Sequence, residues 1–364
     1  MYNEESLVGI FVNKIDGIAW QYLAEQVSSE FQFMDQSWYS SWESKYLPLE
    51  LPDSSIKYIS IVDINNKLQG VYPCILTSKF GFKILSAAGF YYPFRMILHS
   101  EKSTVSCAAT FVETINNEIK ENIIRIGPAD TDQPINNILE SKFRDSGWAC
   151  HKINRGTQQI IILPDSVDEF KQSLSKNLYK NLKRRLKKLR ELGEVSIEKF
   201  NNCSSDEWSH LIEYCSDIER QSWLFSDVDG KTRIKGKEAF WKEYLESSDA
   251  QCRVNIWFVK LNGHPISFTF AIDSGPIRYS ISGQYDAQYK KYGIGLLADY
   301  EMLQDSIRMG IKKVNLGDGD AEYKDRWGAK PGAQLIDYIY IRPGILGHLL
   351  YLGIKIWEAT NSKH

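Results

Sequence analysis

A hairpin signal in the second half of the chain constrains the fold more than any other feature. The dipeptide Asn262-Gly263 separates two runs rich in apolar and β-branched residues, Val254 to Lys260 and Ile266 to Ile272. Asn-Gly is a preferred centre of tight β-turns, so these runs predict two antiparallel strands. A third strand is expected at Arg278 to Gln284. A sheet must therefore form the centre of this part of the chain.

The elements that follow the hairpin indicate an α+β fold class. A helix is predicted from Gly295 to Met309, and Gly310 is well placed to end it. Three further elements complete the series: a strand at Val314 to Leu316, a short helix at Asp320 to Trp327, and a strand at Leu335 to Ile341. The first half has its own strands and helices, including a hairpin at 58–76, a helix at 104–120, and Trp38 and Trp42 on one helix face.

The chain length predicts two domains. With 364 residues and about 150 residues per domain, the chain has room for two cores. We place the boundary near 155–165, ahead of Pro164. The predicted ranges are an N-terminal domain at 1–160, a C-terminal domain at 161–343, and a helix with a tail at 344–364.

Composition excludes several classes of protein. The formal net charge is −2, so the whole molecule is not a general nucleic-acid binder and no DNA partner is expected. The six cysteines include no Cys-x-x-Cys pair, which disfavours zinc ribbons and thioredoxin-like chemistry, and no metal is expected. We find no basic leader followed by an apolar run and no apolar stretch of ~18 residues. These observations predict a cytoplasmic protein.

A strongly basic helix is predicted from Lys176 to Arg190. Its leucines form one apolar stripe, and the remaining positions are almost all Lys, Arg or Asn, with no acid before Glu191. A solvated helix usually mixes both signs of charge. The single sign favours a polyanion, such as a nucleotide, a lipid phosphate, RNA or an acidic membrane surface; a surface helix held only by its leucines is the alternative. The candidate anion ligands are Lys180, Lys183, Arg184 and Arg185.

Two segments near the third strand carry candidate chemistry. The glycines of Tyr292-Gly293-Ile294-Gly295 stand between a strand and a helix, where backbone N–H groups and the helix dipole suit a pyrophosphate. The second segment, Leu316 to Gly328, places acids, a tyrosine and cations just after a strand, where loop residues often face a cleft. The plain alternatives are a simple turn and a solvated helix cap.

These motifs together resemble a known family. The run from Gly263-His-Pro-Ile-Ser through Tyr285-Asp286 and Tyr292-Gly293-Ile-Gly-Leu-Leu to Gly317-Asp-Gly-Asp-Ala-Glu-Tyr-Lys-Asp-Arg-Trp-Gly328 resembles the CelD-like, FemAB-related acyltransferases of the GNAT superfamily. Tyr323-Lys324-x-x-Trp327-Gly328 is similar to the Phe-Lys-x-x-Phe-Gly element of the peptidoglycan bridge enzymes of the Fem group. One difference is Lys291-Tyr292-Gly293, where CelD-like proteins often have Ser-Pro-Gly.

The resemblance implies tandem GNAT-like domains, each a mixed, mostly antiparallel sheet flanked by helices. It implies an acyl-CoA co-substrate whose pantetheine pairs with the strand near Tyr279 to Tyr285 and whose pyrophosphate meets the following turn. The cofactor-binding residues so implied are Ser282, Gly283, Gln284, Tyr285, Tyr292, Gly293, Ile294, Gly295 and Leu296.

N-acyl transfer also requires a base for the attacking amine and an acid for the leaving group. Asp318, Asp320 and Glu322 are the candidate bases, Tyr323 the candidate acid, and Lys324 a candidate for holding a phosphate or the developing oxyanion. Proton loss assisted by the substrate is the alternative to a dedicated base.

Three functions fit these expectations. The first is an N-acyltransferase that acts on an amine of a sugar nucleotide, glycan or lipid-linked envelope precursor in polysaccharide biosynthesis, with the inner face of the membrane as an alternative location. The second is an aminoacyl-tRNA-dependent transferase of the Fem type. The third is a non-catalytic binding subunit.

Overall fold

The computed structural model describes residues 6–52, 54–79, 81–201, 203–222, 233–247, 253–319, 322–345 and 347–352. The described strands are β1 (Val8–Val12), β2 (Lys57–Val62), β3 (Leu68–Lys79), β4 (Phe82–Ala87), β5 (Leu98–His99), β6 (Ile123–Asp130), β7 (Ala149–Ile162), β8 (Val195–Asn201), β9 (Arg253–Leu261), β10 (His264–Ser274), β11 (Ile277–Tyr285), β12 (Lys313–Asn315) and β13 (Lys330–Ile341). The α-helices are α1 (Gly17–Ala24), α2 (Gln36–Lys45), α3 (Leu47–Glu50), α4 (Thr104–Glu118), α5 (Pro134–Asp145), α6 (Val167–Ser173), α7 (Lys176–Arg190), α8 (Ser205–Gln221), α9 (Glu238–Glu246), α10 (Ile294–Arg308) and α11 (Glu322–Arg326).

The chain divides into two compact units, and neither is one continuous segment. Unit 1 comprises residues 1–28, 47–157 and 333–364, and unit 2 comprises residues 29–46 and 158–332. The segment with Trp38 and Trp42 thus packs in unit 2. The domain ranges 1–160, 161–343 and 344–364 stay a prediction, and most of the last range lies outside the described residues.

Most predicted elements are present. The α+β fold class is confirmed, and Asn262 and Gly263 have φ values of 50° and 78°, as the predicted hairpin turn requires. The predicted domain boundary near 155–165 overlaps strand β7, which runs from Ala149 to Ile162. Polar side chains in this stretch, including Lys152 and Arg155, hide the alternation of a half-buried strand.

Unit 1 is a sheet covered by amphipathic helices. The strand order is β1-β2-β3-β4-β6-β13, with β5 on β3, and the only parallel contact among these described pairs is β4 with β6. Phe111 and Ile115 of α4 are fully buried. On α5, Phe143 stacks on Tyr340 of β13 with the ring centres 4.0 Å apart. Burial of this apolar stripe stabilises helices that alone would be marginal.

The strands of unit 2 are covered by helices on both faces. Its strand order is β7-β12-β11-β10-β9-β8, and β11 with β12 is its parallel pair. Neighbouring β10 residues point to opposite faces. Phe270 contacts Trp208 of α8 and Trp241 of α9, and Trp241 packs on Trp38 of α2. Ala271 belongs to the core formed with α6, α7 and α10.

A buried arginine ties α10 to the hairpin of unit 2. Arg278 of β11 is fully buried, and its Nε and Nη2 donate to the two oxygens of Asp273 at 2.6 and 2.8 Å. Its Nη1 donates to Asp305 and Ser306 of α10 at 3.2 and 2.9 Å. A buried ion pair of this kind fixes geometry because removing one partner leaves an uncompensated charge. The network therefore sets where α10 lies on the sheet.

Across the described helices, none combines the length and the apolar character that crossing a bilayer requires.

Candidate functional site

Strand β11 separates from β12 after a short parallel pairing. The two strands pair only from Ile277 to Tyr279. In the pairing of β11 with β10, Ser280 and Ser282 lie opposite the adjacent residues Ala271 and Phe270, so Ile281 is an extra residue. A bulge bends the strand that carries it. Within the described part of the chain, Ser282, Gly283, Gln284 and Tyr285 therefore have a strand partner only on the β10 side, and their other edge can bind an extended ligand through backbone hydrogen bonds.

The side chains of this free segment alternate between the two faces of the sheet. Gln284 accepts a hydrogen bond from Ser222 Oγ, at the end of α8, with an oxygen–oxygen distance of 2.6 Å. Tyr285 points to the other face, where a Cβ built on Gly295 would lie 3.1 Å from its ring. Gly283, two residues before Tyr285, shares the α10 face and leaves it open there. The unpaired segment of β11 and the start of α10 thus lie next to each other.

The glycine turn is formed by backbone contacts around Asp286. This buried carboxylate accepts hydrogen bonds from the backbone N–H and the side-chain amide of Gln288, at 2.9 and 2.5 Å. Tyr292 ends the turn, and Gly293 has φ 60° and ψ 41°, a left-handed conformation that favours glycine. Helix α10 begins at Ile294. The first N–H groups of an α-helix have no partner within the helix, so those of Ile294 and Gly295 form a potential anion site, whereas Leu296 N donates to Gly293 O at 3.1 Å.

The basic helix α7 reaches this turn through Arg185. A Cβ on Gly293 would overlap the Arg185 guanidinium, so the arginine lies directly on the glycine. Ser175 accepts a hydrogen bond from Leu178 N at the helix start, and Leu182 and Leu189 are buried on the inner face. The leucine stripe thus orients α7 so that one arginine points at the start of α10. Two signals more than a hundred positions apart in the sequence meet in space.

The other three basic candidates lie on the exposed face of α7. Lys183 Nζ lies 4.3 Å from the centre of the Tyr179 ring, and Arg184 Nη2 donates to Asn181 Oδ1 at 3.0 Å. Lys180 is exposed. As far as the structure describes the chain, no acidic side chain forms an ion pair with Lys180, Lys183, Arg184 or Arg185. The positive charge of this face is therefore available to a polyanion.

Lys324, in the segment after β12, binds backbone carbonyl groups of that same segment. Lys324 is buried, and its Nζ donates to the carbonyl oxygens of Asp318 at 2.6 Å and Gly319 at 2.9 Å, with Gly317 O at 3.4 Å. The ammonium thus holds the loop together, which differs from the phosphate or oxyanion contact expected for it. Asp318 and Glu322 are exposed, and Glu322 pairs with Arg326 at 3.1 Å. Asp320 lies outside the described residues.

Sequence reasoning missed Asp299. Among the acids near the unpaired segment of β11, it is the one whose pKa changes most on folding. Its Oδ1 accepts a hydrogen bond from Thr269 Oγ1 at 3.3 Å, and Thr269 pairs with Gly283 in the sheet. Burial raises the pKa of Asp299 to about 7, against the opposing effect of the Thr269 hydrogen bond. The signal in the sequence was an acid within Leu296-Leu297-Ala298-Asp299-Tyr300, on the inner side of α10.

Tyr323 is electrostatically coupled to Asp299. Burial raises the pKa of Tyr323 to about 12, and the negative charge of Asp299 contributes to this rise. Trp327, four residues after Tyr323, stacks on Tyr300 of α10 with the ring centres 6.2 Å apart. This stacking brings the segment with Tyr323 against α10. A half-ionised carboxyl and a protonated phenol at neutral pH are the pair of groups that proton transfer in both directions requires.

A cleft of about 440 Å³ adjoins the turn on the α8 side. It is lined by Tyr214 and Asp217 of α8, by His264, and by Asp286, Gln288 and Tyr289 of the turn. A ligand bound at the turn therefore has space to extend toward α8. Among the described residues, no three His, Cys, Asp or Glu side chains are grouped in a way that could hold a metal ion.

Comparison with known proteins assigns part of the chain to a family. Residues 176–325, from the start of α7 to α11, match the family model of the acetyltransferase (GNAT) domain. Residues 176–325 therefore form a GNAT acetyltransferase domain. The matched range contains the basic helix, the unpaired segment of β11, the glycine turn and Tyr323. A search among curated proteins found no match to this chain.

Solved structures extend the similarity of fold to nearly the whole chain. FemX is 13% identical with a TM-score of 0.63, covering 95% of this chain and 99% of its own. A tandem GNAT protein from the clavulanic acid biosynthesis pathway is 10% identical with a TM-score of 0.50, covering 94% and 100%. L-PGS from Bacillus licheniformis is 10% identical with a TM-score of 0.51, covering 94% and 96%. The fold that the resemblance implied, with tandem GNAT-like domains, is thereby confirmed, and the family match confirms the GNAT resemblance for residues 176–325.

Proposed function

We propose that the protein transfers an acyl group from acyl-CoA to an amine on a sugar nucleotide, glycan or lipid-linked envelope precursor. The observation that carries the donor assignment is the contact of Arg185 with Gly293 at the start of α10, beside the unpaired edge of β11. A pyrophosphate needs backbone N–H donors and positive charge, and an amide-containing arm needs a free strand edge. The unpaired edge of β11 and the start of α10 offer both features.

The donor would lie with its pantetheine along Ser282 to Tyr285 and its pyrophosphate on the turn from Tyr292 to Leu296. Gly283 supports this orientation because a side chain there would project toward Thr269 and the α10 face. Arg185 would bind a phosphate oxygen, and Lys180, Lys183 and Arg184 would add long-range attraction for the negatively charged donor.

For the chemical step we assign Asp299 as base and Tyr323 as acid. The amine nitrogen attacks the thioester carbonyl, Asp299 accepts the proton that the nitrogen loses, and the C–S bond breaks as Tyr323 donates its proton to the leaving thiolate. With a pKa of about 7, Asp299 can accept a proton near neutral pH. Lys324 would act by positioning the loop of residues 317–319 rather than by touching the substrate. Asp318, Asp320 and Glu322, the bases expected from the sequence, stay the alternative candidates for the role of base.

Calorimetric titration with CoA and acetyl-CoA tests the donor assignment. Arg185→Gln should weaken binding at least about tenfold, because a charge-assisted hydrogen bond contributes about 1.5–3 kcal/mol. The matched control is Arg184→Gln, which removes an exposed guanidinium from the next position and should change binding by less than about threefold. Absence of CoA binding by the unaltered protein, or equal losses in the two variants, would contradict the assignment. Release of free thiol with added amines then identifies the acceptor class.

The exposed basic face of α7 supports a second candidate donor, an aminoacyl-tRNA. A nucleic-acid contact through several lysines predicts that binding falls steeply as salt rises. Retention of aminoacyl-tRNA at low salt, together with no binding of CoA, would favour this Fem-type function. Because acyl-CoA and charged tRNA are both cytoplasmic, a cytoplasmic location is part of either proposal; the inner face of the membrane would apply to a lipid-linked acceptor.

A further inference from the structure

Unit 1 contains a cluster of charges that the acyl-transfer site does not use. Asp337 of β13 is fully buried, and two arginines share its Oδ2. Arg125 of β6 donates from Nε and Nη2 at 3.2 and 2.5 Å, and Arg155 of β7 donates from the same two atoms at 2.9 and 2.7 Å. The cluster carries two positive charges and one negative charge, so its net charge is +1.

A bulge in β6 makes room for this arrangement. Across the β6–β13 pairing, Ile336 faces Ala129 and Tyr338 faces Ile126, so Asp337 lies opposite two residues, Gly127 and Pro128. A Cβ on Gly127 would lie 2.5 Å from Asp337 Oδ1 and 2.6 Å from Ile336 O. Gly127 has φ 143°, and only a residue without a side chain fits this close approach. The bulge and Gly127 thus leave the space that the Asp337 carboxylate occupies.

Each arginine donates hydrogen bonds to Asp337, and part of its side chain is exposed. The side chains of Arg125 and Arg155 are 34% and 32% exposed, whereas that of Asp337 is 0% exposed. Each guanidinium gives Nε and one Nη2 hydrogen to Asp337, which leaves the Nη1 group and the second Nη2 hydrogen free of that carboxylate. Among the described residues, neither arginine pairs with a second acid. The guanidinium carbon of Arg155 lies 5.9 Å from the centre of the Tyr91 ring.

A structural ion pair alone does not account for the second arginine. One guanidinium neutralises Asp337, and the second adds repulsion between two like charges that share one oxygen. A bound oxyanion would remove that repulsion and use the outward N–H groups, whose directions Asp337 already fixes. We propose that Arg125 and Arg155, oriented by Asp337, form an oxyanion site in unit 1 that binds a phosphate or carboxylate group. This site does not depend on the proposed donor.

Titration in a background without the donor-site arginine tests the proposal. The Arg185→Gln protein is titrated with pyrophosphate, orthophosphate and glutarate by calorimetry, and the first two anions against the third distinguish phosphate from carboxylate. Adding Arg155→Lys or Arg125→Lys should weaken binding at least about tenfold, because lysine keeps the charge beside Asp337 but lacks the planar fork. Adding Arg144→Gln, which removes an exposed arginine of α5 paired with Glu140, should leave it unchanged.

A second measurement needs no variant. Pyrophosphate should slow phenylglyoxal modification of Arg125 and Arg155 in the unaltered protein, read by mass spectrometry, with no effect on Arg144. Failure of all three anions to bind the Arg185→Gln protein, equal binding by the lysine variants, or absence of protection at both arginines would each overturn the site. Loss of CoA binding in Arg185→Gln with anion binding retained separates this site from the donor site.

Discussion

Two glycines at opposite ends of α10 provide a matched test of the donor site. Gly293 precedes the helix with φ 60°, and Gly310 follows it with φ 77°. Alanine in this left-handed conformation costs about 1–2 kcal/mol at either position. The surroundings differ: a Cβ on Gly293 would overlap the Arg185 guanidinium, whereas a Cβ on Gly310 would meet nothing within 4 Å. The pair therefore separates backbone strain from displacement of Arg185.

Both alanine variants should lower the free energy of unfolding by about 1–2 kcal/mol, measured by urea denaturation. Only Gly293→Ala should also displace Arg185 from the turn. Loss of one charge-assisted hydrogen bond to a phosphate corresponds to about 1.5–3 kcal/mol, or a roughly ten- to hundredfold higher Kd for acetyl-CoA. Calorimetry measures this value for both variants. The reasoning is refuted when Gly293→Ala binds acetyl-CoA as tightly as Gly310→Ala, or when both lose affinity equally.

Three further predictions follow from buried polar groups. Arg278→Met leaves Asp273 buried without its partner and should lower the free energy of unfolding by about 3–5 kcal/mol, whereas the exposed control Arg308→Gln should lower it by less than about 1, both by urea denaturation. Lys324→Met should destabilise the loop of residues 317–319 by about 1–3 kcal/mol, and trypsin should then cleave near it faster. The pKa of Asp299 rises from 3.8 to about 7 on folding, so stability should fall as pH rises between these values; Asp299→Asn should abolish that part of the pH dependence and lower kcat above pH 7.

The sequence alone was sufficient to predict elements whose formation depends on residues close together in the chain. The Asn262-Gly263 turn needs only two positive φ values, and α7 needs only its capping serine and leucine stripe. The glycine turn before α10 was likewise visible because its two glycines stand at a strand-to-helix junction, although the sequence left a simple turn open as the alternative. These features are the segments of the proposed donor site, and no tertiary information was needed to find them.

Contacts between distant segments were not predictable in the same way. Trp38 packs on Trp241 across 203 positions, and nothing in the sequence near residue 38 indicates that segment 29–46 joins unit 2. The contact of Arg185 with Gly293 has the same origin, because basic residues along α7 look alike until the leucine stripe fixes which one points inward. Tertiary packing decides among locally equivalent residues.

Burial decided the chemistry of single residues for the same reason. Lys324 and Lys180 are the same residue type, yet one ammonium is enclosed by backbone carbonyls and the other is exposed. Asp299 resembles an ordinary helix acid in sequence, and only its burial beside Thr269 raises its pKa. Desolvation depends on the neighbours that folding supplies, so residue type alone cannot rank candidate bases.

The two proposed anion sites share a physical device that sequence motifs do not express. At Gly293 the missing side chain leaves space for Arg185 itself, and at Gly127 it leaves space for Asp337, which in turn orients two arginines. In both cases the glycine permits a positive φ, and its lack of a side chain leaves space for a charged group. The importance of a glycine here is therefore set by the charge that occupies the vacated volume. We therefore expect substitution of Gly293 and of Gly127 to disturb a charged group in the same way. Gly293 stands in a recognisable turn, whereas Gly127 stands inside a strand with no motif around it.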